Sequence, residues 1–137
     1  MDQTPTKPVA RARILYVEDD PGLRELITDL LTGEGHQIET AEDGQDGLDH
    51  LLAVNAKYDL LLTDIRMPRM NGIELTKRVR ADARLSGIPI VIVSYKDREE
   101  DRLAGLEAGA DRYLTKSSFT DDTLVRVVGE LLAGAGG

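Results

Sequence analysis

Three short apolar runs constrain this chain more than any other feature: ILYV (14–17), LLLT (60–63) and IPIVIV (88–93). Each is nearly continuous in apolar side chains, as expected of a strand covered on both faces rather than one with a wet face. Pro89 stands near the start of its run, where a missing N–H is tolerated. Two further segments read differently. HQIETA (36–41) alternates and DRYLT (111–115) is short and mixed, so both suit the edges of a sheet. Helical patterns lie between and after these strands. Leu23, Leu26, Ile27, Leu30 and Leu31 form one apolar stripe, and Leu124, Val127, Val128, Leu131 and Leu132 repeat its offsets. Leu48, Leu51 and Leu52 mark another helix, Leu75 and Val79 a third, and Leu103, Leu106 and Ala110 a fourth.

Alternating strands and helices predict an α/β fold, a single doubly wound five-stranded parallel sheet with helices on both faces. The strand order 2-1-3-4-5 puts the three apolar strands in the centre. It reverses direction between the first and third strands, and a ligand is expected in the crevice outside their carboxyl ends. A length of 137 residues suits one domain. Residues 1–11, with Pro5 and Pro8, read as a flexible tail, 12–133 as the folded domain and 134–137 as a flexible end. The absence of Cys excludes disulfides and Cys-based zinc sites. No apolar run approaches the ~20 residues of a membrane span, and the N-terminus lacks a signal-peptide core. A cytoplasmic location away from membranes is expected. The formal net charge of −8 argues against direct nucleic-acid binding.

Chemistry-bearing residues gather at the predicted carboxyl ends. The first strand ends in Glu18-Asp19, the third runs into Asp64, the fourth ends at Ser94 and the fifth at Lys116. Three carboxylates cannot share a cleft uncompensated. A hard divalent cation with oxygen ligands removes the conflict, and Mg²⁺ binds through one or two carboxylates while keeping several waters. A carboxylate beside such a cation and a lysine can act as a nucleophile toward phosphorus. The metal, Lys116 and Ser94 would then take up the charge of the phosphoryl oxygens. Asp20 has a separate role. It precedes Pro21, and Asp at the N-cap with Pro at the first helical position is a helix-start signal. Pro68 and Gly72 are expected to shape the loop after Asp64, glycine permitting backbone geometry that other residues resist.

The acidic pair, TDIRMPRMNG, the hydroxyl at 94 and EAGADRYLTK, with their spacing, resemble the receiver domain of two-component response regulators over residues 12–133. The resemblance, closest to chemotaxis-type receivers of flavodoxin-like fold, implies residue roles. Asp64 is the expected phosphoacceptor. Asp19, Asp64 and the backbone carbonyl of Arg66 are the expected Mg²⁺ ligands, with Glu18 acting through metal-bound water. Ser94 and Lys116 are expected to hold the phosphoryl group. Ser94 and Tyr113 are the expected switch pair, altering the face built from the fourth helix, fifth strand and fifth helix. A sensor histidine kinase is the implied phosphodonor and a downstream protein the implied partner at that face. The chain itself is expected to have no enzymatic activity beyond its own phosphorylation and dephosphorylation. It departs from the family at Lys116-Ser117, where Lys-Pro with a cis bond is usual; a trans bond is expected, because cis before a non-proline costs about 2.5–4 kcal/mol. Tyr95, Arg66 and Lys96 are expected to screen the phosphoryl group from water.

Other functions fit less well. A phosphohydrolase of the haloacid dehalogenase type needs a second acid two residues after its nucleophile, where this chain has Arg66. A dinucleotide-binding domain would need a G-x-G-x-x-G after the first strand. A non-phosphorylated interaction module would not need the full set of acids, hydroxyl and lysine.

Overall fold

The computed structural model of the chain describes residues 12–94, 99–115 and 122–136. Strands and helices alternate through β1 (Arg13–Val17), α1 (Pro21–Thr32), β2 (Gln37–Ala41), α2 (Gly44–Leu52) and β3 (Leu60–Thr63). They continue through α3 (Gly72–Ala81), β4 (Ile90–Ser94), α4 (Glu99–Ala108), β5 (Arg112–Thr115) and α5 (Thr123–Gly136). The five strands form one parallel sheet in the order β2-β1-β3-β4-β5. The expected architecture and order are both present, with the apolar runs at the centre.

Successive residues of a strand point to opposite faces, and the core divides accordingly. Ile14, Tyr16, Leu60, Leu62, Val91 and Val93 meet Leu23, Ile27 and Leu31 of α1 and Leu124, Val127 and Val128 of α5. The alternate set, Leu15, Val17, Leu61, Ile90 and Ile92, meets Leu48 and Leu51 of α2 and Leu75 and Val79 of α3. The α4 helix lies on this second face. A Cβ on its Gly105 would stand 3.0 Å from Ile92 Cδ1 and 3.4 Å from the Tyr113 ring. Two covered faces explain why the central strands tolerate no polar alternation.

Boundaries differ in places. The fourth helix ends at Ala108, and Ala110 packs into the core beyond it. Ser94 closes β4, the strand end at which it is expected. The α5 helix runs to Gly136, so part of the segment 134–137 expected as a flexible end is helical. Once a helix is nucleated each further residue adds one bond, which carries it past weak formers. The tail 1–11, Lys116 with its bond to Ser117, and Tyr95 and Lys96 lie outside the described residues.

Away from the strands' carboxyl ends, one side chain ties three segments together. Arg80 at the end of α3 donates from Nε to the Gly109 carbonyl at 2.9 Å and from one terminal nitrogen to the Ser86 and Ile88 carbonyls at 2.7 and 2.6 Å. Its other terminal nitrogen meets Asp111 Oδ2 at 3.0 Å, and that same oxygen accepts from Ile90 N–H at 2.8 Å. The starts of β4 and β5 are thus fixed by one guanidinium. Arg80→Ala removes a charged donor from several carbonyls at once and is expected to cost about 2–3 kcal/mol. Arg80→Lys should recover less than half, since a compact ammonium cannot span the fork. Urea unfolding measures both. A loss under about 0.5 kcal/mol, the range of ordinary surface substitutions, would mean that water serves those carbonyls equally well.

Candidate functional site

The carboxyl ends of β1 and β3 lie side by side because their registers pair Val17 with Thr63. The chain beyond each is pinned by backbone bonds: Glu18 N–H to the Ala41 carbonyl at 3.0 Å and Asp64 N–H to the Val17 carbonyl at 3.1 Å. The Asp20 side chain caps α1, accepting from Gly22 and Leu23 N–H at 2.9 and 3.2 Å, with Pro21 in the first turn. The expected separation of Asp20 from its two acidic neighbours is therefore present. Arg24 donates to the Glu18 carbonyl at 2.7 Å and holds the bend between strand and helix.

That bend leaves Glu18, Asp19 and Asp64 converging. One oxygen from each lies within 4.8 Å of the others. Glu18 is only 2% exposed and Asp64 only 7% exposed, while Asp19 faces solvent. Burial, then the charge of Asp64, pushes the Glu18 carboxyl up to about 8, against the opposing bonds from Asp20 N–H and the Tyr16 hydroxyl, each 3.2 Å. Burial likewise raises Asp64, opposed by Ile65 N–H, which donates to Oδ1 at 2.8 Å. The cluster is thus built to hold a proton or a cation. Its donors are carboxylate oxygens, the set that suits a hard divalent ion such as Mg²⁺.

Other expected site residues lie on the neighbouring strands and on the loop after Asp64. Ser94 ends β4 and is 2% exposed; it pairs in register with Thr115, the residue before Lys116 in the chain. Arg66 is exposed, on the loop that leaves Asp64. Tyr113 is half-buried on the edge strand β5, its ring against Gly105 of α4. The loop after Asp64 is shaped as expected but for a different reason. Gly72 is not in the left-handed region; a Cβ there would stand 2.0 Å from the Asp64 carbonyl oxygen. Close approach of two backbones demands the glycine. Two further residues brace this loop. Asp43 caps α2, accepting from Asp46 N–H at 2.9 Å, and takes a two-pronged contact from Arg69 on the loop. The Asp43-Gly44 pair before a helical pattern carried a capping signal, but nothing marked its partner.

A family model described as the response regulator receiver domain matches residues 14–128. The chain belongs to the response regulator receiver domain family. This receiver domain is 42% identical over 123 residues to protein PilH of Pseudomonas aeruginosa, covering 90% of this chain and 99% of PilH. It spans only 15% and 50% of the length of other curated relatives. Among solved structures it is similar to the chemotaxis response regulator CheY4 of Vibrio cholerae (TM-score 0.80, 29% identity, 89% of this chain and 99% of that one). It is also similar to the response regulator Rcp1, in a Mn²⁺-bound form (TM-score 0.73, 26% identity, 86% of this chain and 90% of that one). Among the described residues of this receiver domain no helix is long and apolar enough to cross a membrane.

Proposed function

We propose that this receiver domain is a phosphorylation-controlled switch with Asp64 as phosphoacceptor, taking its phosphoryl group from a sensor histidine kinase. The observation that carries the reading is the convergence of Glu18, Asp19 and Asp64, two of them buried, at the strand ends, with buried Ser94 closing the neighbouring strand β4. Asp19, Asp64 and the Arg66 carbonyl would hold Mg²⁺, with Glu18 acting through water; the Mn²⁺-bound form of Rcp1 supports a divalent ion in this family. When bound, the ion supplies charge neutralisation for the acids and for the phosphoryl oxygens.

An Asp64 carboxylate oxygen attacks the phosphorus. The new O–P bond forms as the P–N bond of phosphohistidine breaks, and the imidazole leaves with the bonding pair. The Ile65 N–H on Oδ1 orients the carboxylate for that attack. Ser94 and Lys116 donate to the phosphoryl oxygens. The Ser94 hydroxyl moves toward them, and Tyr113 follows inward past Gly105, so the surface of α4, β5 and α5 changes for a downstream protein. The covalent charge shifts a pre-existing equilibrium between two states. The chain works in the cytoplasm, and its chemistry is confined to its own phosphorylation and dephosphorylation.

Incubation with Mg²⁺ and a small-molecule phosphodonor should add one alkali-labile phosphoryl group to the wild type, mapped by mass spectrometry to Asp64. Asp64→Asn, or excess chelator, should give none. A folded, Mg²⁺-bound wild type that takes no label sinks the reading.

A further inference from the structure

The segment between Asp64 and Gly72 is anchored near its ends by backbone. Asp64 N–H donates to the Val17 carbonyl at 3.1 Å and Gly72 N–H to the Ile65 carbonyl at 2.9 Å. Its outer half is held otherwise. Met70 N–H donates to the Pro68 carbonyl at 2.7 Å, and Arg69 between them has φ 68°. That is a γ-turn of the rare positive-φ kind, strained for any residue with a Cβ. Such strain persists only where the surroundings over-determine it, and it concentrates at functional sites.

The surroundings here are specific. Arg69 donates from Nε to Asp43 Oδ2 at 2.9 Å and from a terminal nitrogen to Asp43 Oδ1 at 3.1 Å. The guanidinium is 61% exposed but the carboxylate only 9%, so this is a two-pronged contact to a buried acid rather than a screened surface pair. Beside it Gly44 N–H donates to the Met70 carbonyl at 3.0 Å. A Cβ on Gly44 would stand 2.2 Å from that oxygen. The turn therefore rests backbone to backbone on the start of α2 and is latched there by one ion pair.

We propose that Arg69, through Asp43, is a positioning residue for divalent-cation binding: the latch sets where the Arg66 carbonyl can stand relative to Asp19 and Asp64. The proposal rests on the reading that this carbonyl is a metal ligand. Arg66 sits two residues past Asp64 and three before Arg69, so its carbonyl is governed by both anchors. Mg²⁺ demands near-octahedral geometry at about 2.0–2.1 Å, which a loose loop cannot hold. Removing groups that orient metal ligands typically weakens binding about 10–100-fold.

Arg69→Gly removes the latch without adding backbone strain, because glycine accepts the positive φ. Mg²⁺ titrations by calorimetry, with thermal unfolding in chelator alongside, compare wild type, Arg69→Gly and Arg69→Lys. Arg69→Gly should bind Mg²⁺ about tenfold more weakly while still unfolding in one cooperative transition in chelator, at a midpoint lowered by the lost contact to Asp43. Its phosphorylation should need correspondingly more Mg²⁺ but reach the same maximal rate. Arg69→Lys should recover affinity only in part, having lost the fork. An Arg69→Gly affinity within twofold of wild type overturns the latch, as does a wild type that binds no Mg²⁺. A wild type that binds Mg²⁺ without taking a phosphoryl group overturns the proposed function alone, because the affinity comparison still decides the latch.

Discussion

Gly72→Ala is expected to lower the thermal midpoint by about 10 °C, corresponding to a loss of about 3 kcal/mol or more. The added Cβ would stand 2.0 Å from the Asp64 carbonyl oxygen, 2.9 Å from its carbonyl carbon and 3.1 Å from Ile65 Cα. All three are backbone atoms, so no side chain can swing aside. Thr63 further restrains the spot, its buried hydroxyl donating to the Asp64 carbonyl at 2.9 Å. Relief must come from moving either α3 or the peptide that carries Asp64. Ordinary overpacking costs about 1–3 kcal/mol because side chains can adjust; here the adjusting group is the candidate phosphoacceptor's own backbone. Total phosphorylation should fall with the folded fraction. Gly129→Ala is the matched control. It lies in α5 with nothing within 4 Å of the added Cβ, and should stabilise by about 0.5–1 kcal/mol through helix propensity. If Gly72→Ala behaves like Gly129→Ala, the close approach around Asp64 is not a feature of the protein.

The contrast between those glycines shows which parts of this molecule a sequence can reveal. Glu18, Asp19 and Asp64 are legible because they stand at the ends of apolar runs, and the order of the runs brings those ends together. Asp20 was legible because its capping bonds span three residues and Asp-Pro is a local signal. The reason for Gly72 was not, since a close approach between backbones leaves the same letter as a turn. Arg69 and Asp43 stand 26 residues apart, and a positive φ at an arginine has no counterpart in composition or periodicity. Arg80 looks, in sequence, like any solvated arginine of an amphipathic helix; only the folded chain shows three segments converging on it. Interactions set by topology and apolar pattern could be read, whereas polar contacts across sequence-distant loops depend on atomic distances that no pattern encodes.

With divalent cations chelated, the protein should be more stable near pH 5.5 than near pH 8.5, and Glu18→Gln should flatten that difference. The Glu18 carboxyl is raised from its ordinary 4.5 to about 8, first by burial and then by the Asp64 charge. Between those values the folded chain keeps a proton that the unfolded chain has released. Stability therefore declines as pH rises through that window, and the full penalty is present above about 8. Asp64, also raised by burial, adds in the same direction. Asp43 works oppositely: burial pushes it up, but Arg69 outweighs this and holds it below 3.8, so its contribution is lost only at lower pH and leaves the window clear. Glutamine keeps the shape of protonated Glu18 and cannot ionise. Glu18→Gln should thus stabilise the chelated protein at pH 8.5 by on the order of 1 kcal/mol or more, one pKa unit being worth about 1.4 kcal/mol. Mg²⁺ should reverse the trend by displacing the shared protons. At about a hundred times its dissociation constant it should add about 2.7 kcal/mol to the wild type, with affinity falling as pH drops toward 5 and with a smaller gain in Glu18→Gln. Thermal unfolding across pH 5–9, with chelator and with Mg²⁺, measures all of this. Parallel chelated profiles for wild type and Glu18→Gln would mean that the acid cluster holds no shared proton, and the electrostatic account of its demand for a cation would fail.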